Sequence, residues 1–271
     1  MRKRRSMLSY LLLILISLVS LAPFYLMVVM STYLTEDIFK GLPLLPSNHF
    51  AENMATVLKS NFGLTYLNSI IISLTSTVAC VLISAMAGYG LNAYNFKLKK
   101  PIYNTVLLTM MVPTQIGIIG YMIEMRTMHL QATLWPMILL WFANGFGVFW
   151  MTQYIRGSLP MEIVESARID GCHELGTFFR IVLPCIVPAL TTLALLIFLW
   201  SWNNYLVPLV FVNNAKQNTI PVFIKALGNA YRTDYGAQLA GLVVSTIPLI
   251  LMFVLGSKSF IKGLTAGAVK G

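Results

Sequence analysis

Apolar residues fall along this chain in six long runs separated by shorter polar stretches. The runs are Met7–Leu34, Tyr66–Tyr94, Ile102–Ile123, Leu134–Ile155, Cys185–Val212 and Ala237–Leu255, and none contains Asp, Glu, Lys or Arg. A helix crosses the apolar core of a bilayer in about 20 residues. The pattern therefore predicts six transmembrane helices and an all-α integral membrane protein. The first run follows the basic stretch MRKRR, as the core of a signal peptide would. Such a core has roughly 7–15 apolar residues; this run is much longer and reads as a retained helix. Pro23 is expected to kink it, because proline has no N–H for the helical ladder.

Helices in lipid associate by close packing, so small residues mark contact faces. The second run carries Ser73, Thr77, Cys80, Ser84 and Gly88 at helical spacing, and the sixth carries Ala237, Ala240, Gly241 and Ser245. Both faces read as helix contacts. The pattern leaves open whether the partner helices belong to this chain.

Composition agrees with the runs. The chain has 271 residues, 57% hydrophobic and 10% charged, with a mean hydropathy of +0.75. Soluble domains have roughly 45–50% apolar and about 25% charged residues. The net charge of +10 comes without a basic patch interleaved with aromatics, which argues against nucleic acid. It follows instead from where Lys and Arg gather. Arg2, Lys3, Arg4, Arg5, Lys97, Lys99, Lys100, Arg156, Arg168, Arg180, Lys258, Lys262 and Lys270 fall on one side of the six-span scheme. Only Lys40, Lys59, Arg126, Lys216, Lys225 and Arg232 fall on the other. Cytoplasmic loops carry the excess, so both termini are expected in the cytoplasm. Cys80, Cys172 and Cys185 stand singly, as do His49, His129 and His173, which argues against a disulfide framework or a metal site.

Proton-coupled transporters place ionisable groups within the bilayer, and these runs have none. A P-loop needs GxxxxGK[ST]; the nearest stretch, GLTAGAVKG at residues 263–271, lacks that spacing. Energy for any uphill movement would come from elsewhere. No cofactor is expected on this chain.

The densest mixed charge lies between the fourth and fifth runs, in LPMEIVESARIDGCHELGTFFRIVLP, residues 159–184. Pro160 suits a helix start and Glu162 the positive end of its dipole. Gly171 is placed to stop the helix in a left-handed turn. Leu175, Phe178, Phe179 and Val182 come next at i, i+3, i+4 and i+7, the stripe of a second, amphipathic helix; Pro184 either ends it or marks the entry to the fifth run. The charged side presents Glu165, Arg168, Asp170 and Glu174. Helix connections are typically about 2–8 residues, and long ordered loops are usually functional. The segment reads as a dock for a cytoplasmic partner.

ESARIDGCHELGTFFRIVLP resembles the EAA motif of permease subunits from binding-protein-dependent ABC importers. Glu165, Ser166 and Ala167 fill EAA with one small-for-small change; Asp170 and Gly171 stand at the family's spacing, and Ile181, Leu183 and Pro184 complete the pattern. NSIIISLTSTVACVLISAMAGYGLNAY, residues 68–94, is similar to the first helix of the family's core domain. WSWNNYLVPLVF, residues 200–211, and the tail resemble the carbohydrate branch, particularly the maltose-type second permease. The resemblance implies a type I importer fold: residues 1–65 as N-terminus, first helix and outer loop, a core domain over 66–260 with the EAA loop at 156–184, and a tail at 261–271. It implies a second permease subunit, as a heterodimer, two cytoplasmic ATPase subunits that bind ATP, and an extracytoplasmic solute-binding protein that delivers a sugar, all at a prokaryotic cell membrane. The helix Met161–Arg168 would dock into the ATPase, with Glu165 facing a basic residue there and Arg168 beside it.

Candidate sugar contacts are the polar and aromatic residues of the runs: Asn68, Asn144, Gln153, Trp202, Asn203, Asn204 and Tyr205. The alternatives are a permease for glycerol phosphate or a polyol, a self-contained secondary transporter or channel, and a membrane scaffold. A phosphorylated solute favours basic residues along its path, which the runs lack.

Overall fold

A computed structural model describes residues 2–59, 61–228 and 232–266. The expected tail at 261–271 runs beyond them, so its last five residues, Lys270 among them, lie outside the described residues. The fold is all-α. In chain order the helices are α1 (Arg2–Met30), α2 (Thr35–Ile38), α3 (Phe50–Lys59), α4 (Phe62–Ala93), α5 (Lys99–Met111), α6 (Ile118–Thr127), α7 (Trp135–Leu139), α8 (Gly145–Ser158), α9 (Met161–Ile169), α10 (Glu174–Thr177), α11 (Leu183–Cys185), α12 (Val187–Trp202), α13 (Leu206–Phe211), α14 (Ile220–Lys225), α15 (Tyr235–Ser245) and α16 (Ile247–Ala266). A π-helical turn, Phe178–Val182, joins α10 to α11.

Among the described residues, three helical stretches are long and apolar enough to cross a membrane: Ser9–Met30, Phe62–Ala93 and Tyr235–Lys258, the last made of α15 and the start of α16 with Thr246 between them. A fourth appears if Glu174–Cys185 and Val187–Trp202, bent by 82°, are counted as one. Six unbroken spans were expected, and the reasons for the difference are local. The run 102–123 breaks after α5, where Val112 is extended at φ −86° and ψ 120°. Pro113 is the next residue, and the residue before a proline is pushed out of the helical region. The run 134–155 breaks at Asn144, which is extended and caps α8 by accepting a 2.8 Å hydrogen bond from the Gly147 N–H. An Asn cap beside two glycines starts a new helix rather than continuing an old one. Pro23, by contrast, lies inside α1 without ending it.

The chain divides into two units, residues 1–65 with 220–248 and residues 66–219 with 249–271. In the first, the small face of α15 lies on α3. Ala237 and Ala240 are fully buried with Val57, and a Cβ at Gly241 would touch Ile224 and Val57. Buried Asn53 donates to the carbonyls of Ser31 and Tyr33, both at 2.8 Å. The partner of this small-residue face is thus within the chain.

In the second unit the core is built from α4, α8, α12 and the charged segment itself. Cys80, Tyr89, Met151, Ile155, Val164, Phe178, Val182, Ile186, Leu193 and Ile197 are buried together. The small face of α4 meets α8: a Cβ at Gly88 would sit 2.9 Å from the Met151 backbone, and one at Gly147 would strike Ser84. The second contact face also finds its partner within this chain.

Candidate functional site

Two features of the second unit carry the chemistry. The first is the segment 159–184. Pro160 is the N-cap of α9 at φ −62° and ψ 125°. Val164 (1% exposed) and Ala167 (6%) turn inward at i and i+3. Glu165, Ser166 and Asp170 turn outward, and Ile169 is 86% exposed. Among the described residues no ion pair reaches Glu165. The helix ends in a Schellman turn: the Cys172 N–H donates to the Ala167 carbonyl at 2.9 Å and the Gly171 N–H to the Arg168 carbonyl at 3.1 Å. Gly171 takes φ +78°, the left-handed conformation that such a turn requires and that glycine adopts without strain.

Beyond the turn the expected amphipathic helix is replaced by α10, the π turn and α11. Phe178 and Val182 are buried, whereas Leu175 and Phe179 are more than half exposed. The cause is Pro184. It has no N–H to give and its ring crowds the preceding turn, and the Leu183 N–H reaches back five residues to the Phe178 carbonyl. The wider turn takes Leu175 and Phe179 off the buried face. Ile181 and Leu183 are half-buried, and Pro184 is exposed within α11.

Arg168 does not point free. Its Nε donates to Glu174 Oε1 at 2.8 Å and its Nη2 to Oε2 at 3.3 Å. The guanidinium lies 5.1 Å from the centre of the Tyr94 ring, and the Tyr89 hydroxyl donates to Glu174 Oε2 at 2.9 Å. The Arg168 hydrogen bond, foremost, holds the Glu174 carboxyl down to about 2, against partial burial that raises it. The same bond pushes the Arg168 guanidinium upward. Glu174, Tyr89 and Tyr94 escaped the sequence reading as a cluster. The one signal was their position, a carboxylate just past the glycine turn and two tyrosines where the second run ends.

The second feature is a cleft of about 620 Å3 lined by α5, α6, the stretch before α8, and the ends of α12 and α13. Tyr121, Trp141, Phe146 and Trp200 supply aromatic surface, and Gln115, Asn144 and Asn204 supply amides; among the described residues no charged side chain lines it. Of the candidate sugar contacts, Asn144 and Asn204 meet here. Asn204 also accepts from the Val207 N–H at 3.1 Å. Asn68 is buried and donates to the carbonyls of Lys216 and Asn218 at 2.8 and 3.1 Å. Trp202 is buried against Phe198 and Tyr66. Gln153 donates to the Tyr103 hydroxyl at 2.7 Å, in a separate cleft with Lys99, Lys100 and Arg156. Asn203 donates to the Leu199 carbonyl at 2.9 Å and is exposed, as is Tyr205. Gln115, Tyr121, Trp141, Phe146 and Trp200 were missed; Gln115, Trp141 and Phe146 lie beside breaks between helices, a signal that would have marked them.

Residues 80–261 match the family described as "Binding-protein-dependent transport system inner membrane component". The chain belongs to this family. It is a transport permease subunit and not an enzyme. The permease is 37% identical over 206 residues to the arabinooligosaccharides transport system permease protein of Bacillus subtilis, covering 76% of this chain and 73% of that one. It is 32% identical over 272 residues to the trehalose/maltose transport system permease protein of Thermococcus litoralis, covering 95% and 94%. Its fold matches a chain of a bacterial ABC transporter involved in the import of the acidic polysaccharide alginate, with a TM-score of 0.81, 22% identity and coverage of 95% and 97%. Among the described residues of the permease, no group of three or more His, Cys, Asp or Glu side chains is placed to hold a metal ion.

Proposed function

We propose that this permease is a membrane subunit of an ATP-driven importer of neutral oligosaccharides. The supporting observation is the uncharged cleft. Sugars are bound by ring faces stacking on aromatic side chains and by hydroxyls bonding to amides, and Tyr121, Trp141, Phe146, Trp200, Gln115, Asn144 and Asn204 offer that mixture. A phosphorylated solute such as glycerol phosphate calls for Arg or Lys at its phosphate, and this lining has neither. The relatives named for arabinooligosaccharides and for trehalose and maltose support the same reading.

In this reading the broken runs still cross the membrane, making six crossings with both termini cytoplasmic. Irregular backbone at membrane depth is tolerated where it is buried in protein or lines a cavity, and the breaks at Val112 and Asn144 adjoin the cleft. Residues 66–260 form the core domain. A second permease completes the path, an extracytoplasmic binding protein delivers the sugar, and two cytoplasmic ATPase subunits supply energy. One of these docks on α9 through Glu165, Ile169 and the exposed Leu175 and Phe179, with Gly171 allowing the turn beside it. An unpaired carboxylate beside exposed large apolar groups suits a protein partner better than water.

The experiment is uptake of radiolabelled arabinotriose, maltose, trehalose and glycerol 3-phosphate by cells carrying the complete transporter, wild type and Asn144→Leu. Uptake of a neutral sugar, reduced in the variant, supports the reading. Uptake of glycerol 3-phosphate alone overturns the sugar assignment.

A further inference from the structure

The coupling helix α9 is joined to α10 by a glycine turn, which by itself is a hinge. Three observations show that the hinge is tied. Arg168, the last basic residue before the turn, and Glu174, the first acidic residue after it, share two hydrogen bonds across Gly171 at 2.8 and 3.3 Å. The same carboxylate accepts from Tyr89, a buried residue near the C-terminal end of α4, at 2.9 Å. Tyr94, just past that end, lies under the guanidinium, and the Phe178 ring packs on Tyr89 with centroids 5.7 Å apart. Isolated surface ion pairs contribute little. A two-pronged Arg–carboxylate pair fixes geometry as well as charge, and here a phenol and an aromatic face hold it from the side.

We propose that Arg168 and Glu174 are positioning residues that lock α9 to the end of α4, so that a push on the coupling helix moves α4 as one rigid body with it. The inference rests on the docking reading above. Without the lock, α9 rocks on Gly171 and the motion is absorbed in the turn. With it, motion is delivered to a helix of 32 residues, about 48 Å long.

The test measures one distance in the complete transporter in lipid nanodiscs. Spin labels are placed at Ile163 on α9 and at Val78 on α4, both exposed, after Cys80, Cys172 and Cys185 are changed to serine. The distance distribution is recorded without nucleotide and after ATP–vanadate trapping. In the wild type it is narrow and unchanged by trapping. In Arg168→Gln and Glu174→Gln it is about twice as wide and shifts on trapping by about 2 Å or more, the scale of small helix shifts. The charge swap Arg168→Glu with Glu174→Arg narrows it again. Tyr89→Phe, which removes one hydrogen bond and almost no volume, gives an intermediate width even where a charge variant fails to assemble. Wild-type distributions in both single variants overturn the proposal, as does a wild-type distance that shifts on trapping. The docking reading is checked separately in Glu165→Arg. If that variant retains its ATPase, docking through Glu165 fails, while the nucleotide-free distances still decide the lock.

Discussion

Two glycines on α4, two residues apart, are expected to respond to alanine in opposite ways. A Cβ at Gly88 would lie 2.9 Å from the Met151 carbonyl carbon, from Met151 Cβ and from the Thr152 nitrogen, two of which are backbone atoms that no rotamer change moves. A Cβ at Gly90 meets nothing within 4 Å. Forcing a methyl into a packed contact costs about 1–3 kcal/mol. Alanine in place of glycine in a helix gains about 1 kcal/mol. Helix propensity is common to both sites, so the difference isolates the clash. Gly88→Ala comes out net neutral to destabilising by about 2 kcal/mol and Gly90→Ala stabilising by about 1 kcal/mol. The assay is unfolding of the purified permease in mixed micelles with increasing SDS, monitored by tryptophan fluorescence. Trp150, one of five tryptophans, lies on α8, the helix that Gly88 approaches, so the signal includes this contact. If Gly88→Ala is as stable as Gly90→Ala, α4 and α8 do not approach as described, and the close-packing account of the α4 face fails.

Gly171→Val should lower ATPase retention on membranes strongly, because a β-branched residue at φ +78° carries strain of about 1–3 kcal/mol; Gly171→Asn, which tolerates that region better, should be milder. The Arg168–Glu174 tie should hold throughout about pH 5–8. The Glu174 carboxyl is depressed from 4.5 to about 2, so its contribution is complete above about 4.5 and is lost as the pH falls toward 2; a spin-label distance that widens between pH 8 and 6 would falsify this assignment. Asn68→Leu should lower thermal stability while leaving the ranking of transported sugars unchanged, since its buried amide bonds the Lys216 and Asn218 carbonyls and does not line the cleft. Trp200→Ala should reduce sugar uptake without loss of assembly, as an exposed ring of the cleft.

How much of the structure was legible depended on distance along the chain. The runs 7–34 and 66–94 contain the continuous helical stretches 9–30 and 62–93, because nothing within those stretches competes with the helical ladder strongly enough to end it. The runs 102–123 and 134–155 look equally apolar, yet Pro113 and Asn144 each divide one. Hydropathy averages over such residues; a single missing N–H or a single capping amide does not average. The Gly171 turn was readable because its cause is local. The tie across it was not, because Tyr89 and Glu174 are 85 residues apart and only the packed core brings them together. The stripe at Leu175, Phe178, Phe179 and Val182 misled for a third reason. It assumed 3.6 residues per turn in a stretch where the proline at 184 imposes a wider one.

The neutrality of the cleft and of the runs around it has a consequence for the electric field across the membrane. Each elementary charge carried through that field costs or yields about 2.3 kcal/mol per 100 mV. Cys185–Val212 and the other five runs hold no Asp, Glu, Lys or Arg, and the cleft holds none either. If, as proposed, these helices span the membrane and carry a neutral sugar across it, their movement shifts no side-chain charge of the runs, and the sugar adds none. On that reading the step made by this subunit would be blind to the membrane voltage, its pace left to the nucleotide.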